Sequence, residues 1–207
     1  MAIDLPSLLA PAHTALVTQE CQRGVIGDHV VLPEMARAAA PIIPNLTRLV
    51  GAARCARVRI VHCTAVRRAD GAGSNRNARL FMATRKSGVV MTPGSPAAEV
   101  IPELGPTDDD IVVPRFHGVS PMHGTELDPI LRNLGMRTLV AVGVSVNIAL
   151  TNLVFDAVNA GYQVILPRDA VAGLPADYVE AVFANTLGLI ATVTTTADVV
   201  AAWERAG

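Results

Sequence analysis

Charge and aromatic rings are both scarce in this chain of 207 residues. Asp, Glu, Lys and Arg make up 17% of it, against about 25% in an average soluble protein. One Trp, two Tyr and four Phe are its aromatic residues, so the 51% hydrophobic content rests on Ala, Val, Leu and Ile. That balance excludes a disordered chain and points to a buried sheet, with subunit faces hidden by oligomerisation. Neither sign of charge dominates. With 17 basic and 18 acidic residues the net charge is −1, which argues against nucleic-acid binding driven by phosphate neutralisation. No basic segment followed by an apolar run opens the sequence, so no secretory signal is expected. The longest uncharged run, Thr138–Phe155, holds Gly143, Ser145, Asn147, Thr151 and Asn152 and is too polar for a membrane span.

Several chemical signatures are also missing. The three cysteines (Cys21, Cys55 and Cys63) are odd in number and lack CxxC spacing, which reads as reduced thiols in a cytoplasmic protein. There is no Walker sequence and no HExxH. Gly71-Ala72-Gly73 starts like a dinucleotide fingerprint but lacks the third glycine and does not follow the first strand. No cofactor and no metal is therefore expected. Gly143-Val144-Ser145-Val146-Asn147 resembles a nucleophile elbow, yet ends in Asn where the turn wants Gly. His13, His29, His62, His117 and His123 all precede Ser145, whereas an α/β serine hydrolase needs its His afterwards.

What is present is an alternation of strand-length apolar runs with helix-length segments. Strands are predicted at Ala15–Gln19, Val58–Cys63, Ile111–Val113, Thr138–Val142, Gln163–Leu166 and Leu189–Val193. Helices are predicted at Asn45–Ala56, at Glu126–Leu134 with Thr125 as cap and Gly135 as stop, and at Ser145–Ala160 before Gly161. Pro175–Thr186 and Asp198–Arg205 complete the set. With no repeat and no long linker, residues 1–207 read as one domain: a parallel sheet with helices on both faces. Ligands in such sheets bind beyond the carboxyl ends of the strands.

Those ends hold the candidate residues. Glu20 and Gln22 follow the first strand, Arg115 and His117 the third, and Val144, Ser145, Asn147 and Ala149 lead from the fourth into its helix. A carboxylate, a cation and a helix N-terminus around one crevice suit acid or base chemistry on an anionic or carbonyl-bearing molecule. Glu20 alone reads equally as a charge at a strand end, and Ser145 and Asn147 as caps of the following helix. Between Arg67 and Lys86 lie six cations against Asp70 alone. This stretch can overhang the crevice and recognise a carboxylate, or be a solvated loop.

At these residues the chain resembles the isochorismatase-like hydrolases, also called the cysteine hydrolase superfamily, from about Ala15 to Val193. The resemblance is most specific in Gly124-Thr125-Glu126-Leu127, Leu131–Gly135, Thr138–Val144, Asp156–Tyr162 and Val164–Gly173. It implies a three-layer α/β/α sandwich around a six-stranded parallel sheet, a homodimer or homotetramer, a small-molecule substrate, and a cis peptide between Val144 and Ser145. It also implies an Asp–Lys–Cys triad, from which this sequence departs throughout. Glu20 stands at the Asp position, Arg115 or Phe116 at the Lys position, and Ala149 at the Cys position. The departure points away from the covalent amidase route. It leaves non-covalent acid/base hydrolysis of a vinyl ether or related bond in a small, anionic metabolite, as isochorismatases perform, with Glu20 as acid or, held ionised by Arg115, as base. The alternatives are a non-catalytic binding or oligomeric member, and a nucleophile relocated to Cys21 or Cys63.

Overall fold

The computed structural model describes residues 4–206. Strands β1 (Thr14–Gln19), β2 (Arg59–Ala65), β3 (Ile111–Arg115), β4 (Thr138–Val144), β5 (Gln163–Pro167), β6 (Val171–Ala172) and β7 (Thr192–Thr194) form one sheet. Its order is β3-β2-β1-β4-β5-β7, all pairings are parallel, and the two-residue β6 joins as a seventh strand on Gly143 and Val144 of β4. The expected six strands are thus the long path, and β6 is too short to leave a periodic signal.

Alternation along the strands divides the core in two. Leu16, Ile60, Val140 and Val142 face Leu46, Leu49, Val50 and Trp203, which come from the helices Ile43–Cys55 and Thr196–Glu204. Ala15, Val17, Leu139 and Ala141 face Leu127, Leu131, Leu153 and Val154, from Leu127–Asn133 and Thr151–Asn159. Helices on both faces of a doubly buried sheet are what the continuous apolar strand runs imply.

Several predicted boundaries shift for identifiable reasons. Strand β3 continues through Pro114 to Arg115, because an edge strand tolerates a residue without an N–H. Leu189 and Ile190 close a helix rather than open a strand, so β7 starts at Thr192. The last helix starts at Thr196 rather than Asp198. Thr195 is its cap: its hydroxyl accepts from the Asp198 N–H at 3.2 Å, and the Asp198 carboxylate accepts from the Thr195 N–H at 3.3 Å. The segment after β4 opens with a π-helical turn, Val146–Leu150, before the α-helix Thr151–Asn159. Thr125 accepts from the Leu127 N–H at 3.2 Å, but the helix it caps starts at Leu127 rather than Glu126. Helices Pro33–Ala39 and Arg79–Lys86 were not anticipated.

One polar chain runs inside the fold. The Thr18 hydroxyl lies 2.7 Å from His62 Nδ1, His62 Nε2 lies 3.5 Å from Asp110, and Arg54 donates to Asp110 at 2.7 Å. Burial holds the imidazole pKa of His62 down, against the pull of Asp110.

Candidate active site

Strand order sets the crevice. The chain lays down β1, β2 and β3 in one direction, then returns to place β4 on the other side of β1. The carboxyl ends of β1 and β4 therefore flank the topological switch point of the sheet. The register pairs Gln19 with Gly143, so Glu20 and Val144 leave the sheet side by side. This approach depends on Gly143, whose φ is +104°. A Cβ there would lie 2.3 Å from the Gln19 carbonyl oxygen. The Val144–Ser145 peptide is cis, as is Leu174–Pro175.

Glu20 leaves β1 with a φ of +51°, in the left-handed region that non-glycine residues enter at a cost of order 1 kcal/mol. Its N–H donates to the Cys63 carbonyl at 2.8 Å, which fixes the turn. Arg115 stands at the end of β3, two strands away, roughly 10 Å across the sheet. Only a long side chain spans β2 from there, and the Arg115 guanidinium donates to the Glu20 carboxylate. The same guanidinium donates to the carbonyls of Gly118 and His117. Gln19 adds a donor to Glu20 at 2.9 Å. The pair is largely enclosed, with side-chain exposures of 17% for Glu20 and 10% for Arg115. Burial pushes the Glu20 carboxyl pKa up, and the charge and hydrogen bond of Arg115 offset only part of that rise.

Above the pair opens a cavity of about 360 Å³. Glu20, Arg115, His117, Val144, Ser145, Asn147 and Ala149 all line it, so seven of the eight candidate residues converge. Gln22 does not. Its fully buried amide donates to the carbonyls of Ala65 and Ala98 and accepts from the Ala65 N–H at 2.7 Å, so it braces the β2 exit instead of lining the cavity. Arg67, Ser74, Asn75, Leu80, Phe81, Thr84 and Arg85 complete one wall, which places the basic stretch over the crevice. Leu32 and Met35 form another wall that sequence reasoning missed. The Val30–Pro33 apolar run into a proline-started helix was the available signal.

Comparison with known proteins agrees with this fold. A family model described as the isochorismatase domain matches residues 14–198. The chain belongs to the isochorismatase family. Among its relatives, ureidoacrylate amidohydrolase RutB of Rhizobium rhizogenes is 29% identical over 189 residues, covering 84% of this chain and 76% of that protein. The RutB of Acinetobacter baylyi is 30% identical over 178 residues, covering 78% and 71%. A cysteine hydrolase from Pseudomonas syringae pv. phaseolicola superposes with a TM-score of 0.82 at 27% identity, over 95% of both chains. N-carbamoylsarcosine amidase from Thermoplasma acidophilum gives 0.70 at 25% identity, over 89% of this chain and 96% of that one. The chain is accordingly an isochorismatase-like hydrolase.

Within this isochorismatase-family site, Arg115 rather than Phe116 meets the carboxylate, while Phe116 lines the cavity and is 41% exposed. None of the three cysteines lines the cavity. Cys21 and Cys63 are buried, and burial pushes both thiols up to about 12, far from the thiolate that nucleophilic attack requires. Cys55 lies on the surface at the end of its helix. Ala149 brings a methyl group to the wall beside Ser145. Among the described residues, no three His, Cys, Asp or Glu side chains gather as a metal site, and no helix is long and apolar enough to cross a membrane.

Proposed function

We propose that this hydrolase cleaves a small metabolite by acid/base chemistry at Glu20, with no covalent cysteine intermediate. The observation that carries the reading is the Glu20–Arg115 pair on the cavity floor, with the methyl group of Ala149 on the wall. The family resemblance aligns Ala149 with the nucleophilic cysteine, and a methyl group has no lone pair with which to attack a carbonyl. Amidohydrolase and amidase names among the relatives support hydrolysis as the reaction class.

For a vinyl ether the steps balance through Glu20 alone. The protonated carboxyl gives its proton to the enol carbon. The double-bond pair forms the new C–H bond, and the ether oxygen shares the resulting positive charge. Water adds to the cationic carbon and returns a proton to Glu20. Scission of the hemiketal C–O bond then releases an alcohol and a carbonyl compound. A raised pKa keeps the acid protonated above the ordinary carboxylate range. Between the two transfers Arg115 neutralises the carboxylate, so acid and base roles fall to the same residue in sequence.

We read the enzyme as a cytoplasmic homo-oligomer, supported by its free cysteines and by the exposed Phe155, Tyr178 and Leu189. Turnover of a panel of small vinyl ethers and amides tests the function, with Glu20→Ala as the control. Turnover by the native chain that Glu20→Ala abolishes supports the reading. A panel compound that raises the melting temperature without being turned over makes the protein a binding module instead.

A further inference from the structure

Two of the three arginines that line the cavity already have partners. Arg67, on the cavity wall, donates to the Thr84 carbonyl at 3.4 Å and to the Val89 carbonyl, tying the Arg79–Lys86 helix to the segment that follows it. Arg115 donates to Glu20 and to two main-chain carbonyls. The remaining lining cation, Arg85, is exposed and faces water rather than an enclosed partner. The cavity floor therefore carries a guanidinium that is already bonded to Glu20 and to main-chain carbonyls. Everything around it is largely apolar: Leu32, Met35, Phe81, Met91, Phe116 and Ile148 supply large side chains to the wall. Gly24 makes room for one of them, since a Cβ there would lie 2.1 Å from the Met91 sulfur. Ser145 and Asn147 are uncharged polar groups on the wall, and the Oδ1 of Asn147 is buried without a partner among the described residues.

We propose that the substrate is an uncharged molecule with an apolar body and one polar end, such as an ester, amide, lactone or enol ether, the polar end lying on Glu20. The proposal rests on the reading of this cavity as the substrate site. A carboxylate entering here would lose its hydration against apolar walls, or would have to displace Glu20 from Arg115. A neutral carbonyl or ether avoids both losses, and the apolar body gains from leaving water. A volume of about 360 Å³ suits a small ring with a short chain rather than a large cofactor.

The test uses the full chain and an environment-sensitive neutral dye, N-phenyl-1-naphthylamine, displaced by 4-phenylbutanamide or by 4-phenylbutanoate. The two competitors have nearly the same shape and differ in charge at neutral pH. The amide is expected to displace the dye at a concentration at least about tenfold lower than the carboxylate, a difference of about 1.4 kcal/mol in binding. Phe81→Asp, on the half-exposed wall helix, is expected to weaken dye binding at least about tenfold by placing a charge beside the ligand. Equal or stronger displacement by the carboxylate overturns the proposal, and so does unchanged dye binding in Phe81→Asp. Glu20→Gln is read for turnover alone, so the two claims rest on separate measurements: dye displacement from the native chain for the substrate class, and loss of turnover in the variant for the acid/base role. Full turnover in Glu20→Gln, with the native chain still preferring the amide, would refute the acid/base role and leave the substrate class standing.

Discussion

Replacing Arg115 by Met removes the guanidinium and keeps a long apolar stem, and the consequences depend on pH in a calculable way. Two unit charges about 4 Å apart attract by about 4 kcal/mol at an effective dielectric of about 20. The pair is enclosed but not sealed, so after solvent screening about 2 kcal/mol is a reasonable share for Glu20. The carbonyls of Gly118 and His117 also lose their donor, a pH-independent loss of about 1–2 kcal/mol. Burial already raises the folded-state pKa of Glu20 above its ordinary value of 4.5, and removal of Arg115 raises it further. A raised carboxylate pKa means that the folded state binds the proton more tightly than the unfolded state. Stability therefore falls as pH rises from the unfolded pKa through the folded one, and falls further in the variant. At about pH 4 the variant should be about 1–2 kcal/mol less stable than the native chain, and at about pH 8 about 3–4 kcal/mol less stable. Urea unfolding followed by fluorescence reads this directly, because Trp203 is the one tryptophan and is 1% exposed, with its indole N–H on the Leu9 carbonyl at 3.1 Å. His62 titrates in both chains and cancels in the difference. A destabilisation that is the same at both pH values would refute the coupling of Glu20 to Arg115.

Three further outcomes follow from the same geometry. For acid catalysis by Glu20, kcat/KM should decline as pH rises through a pKa lying above 4.5, and a profile with no such limb removes the acid role. His62 has a lowered folded pKa, so the unfolded chain binds its proton first and stability should fall as pH drops below about 6.5. His62→Gln should flatten that part of the melting-temperature profile. Gly143→Ala forces a side chain into a positive-φ position 2.3 Å from a backbone oxygen. It should destabilise by at least about 2 kcal/mol in urea unfolding, with loss of turnover even where the variant folds.

The sheet and its helices were legible because buried parallel strands carry long runs of Val, Leu and Ile, and because Gly135 and Gly161 mark helix ends. Strand ends then located Glu20, Arg115 and Ser145 without any side-chain information. Gln22 shared its strand end with Glu20, but sequence does not show which way a side chain turns after a strand, and this one turned into the backbone of the β2 exit. The occupation of Arg67 and Arg115 was hidden for a related reason. Their acceptors are main-chain carbonyls or a carboxylate distant in sequence, which no count of charges reveals. The apolar walls at Met35 and Phe81 come from helices of seven and eight residues, and Leu32 from the extended residue before the first of them, segments too short to carry a clear period.

The role of Glu20 is tested most directly by one comparison of rates. A panel compound that the native chain hydrolyses is assayed before and after exhaustive treatment with iodoacetamide, and again with Glu20→Gln. Glu20→Gln preserves shape and removes the titrating group, so turnover should fall by about 10²–10⁴, the usual contribution of a positioned acid or base. Alkylation should leave the rate unchanged, since no cysteine lines the cavity and the two buried thiols are held protonated. Full activity in Glu20→Gln, together with inactivation on modification of Cys21 or Cys63, would contradict the account and assign the chemistry to a thiol.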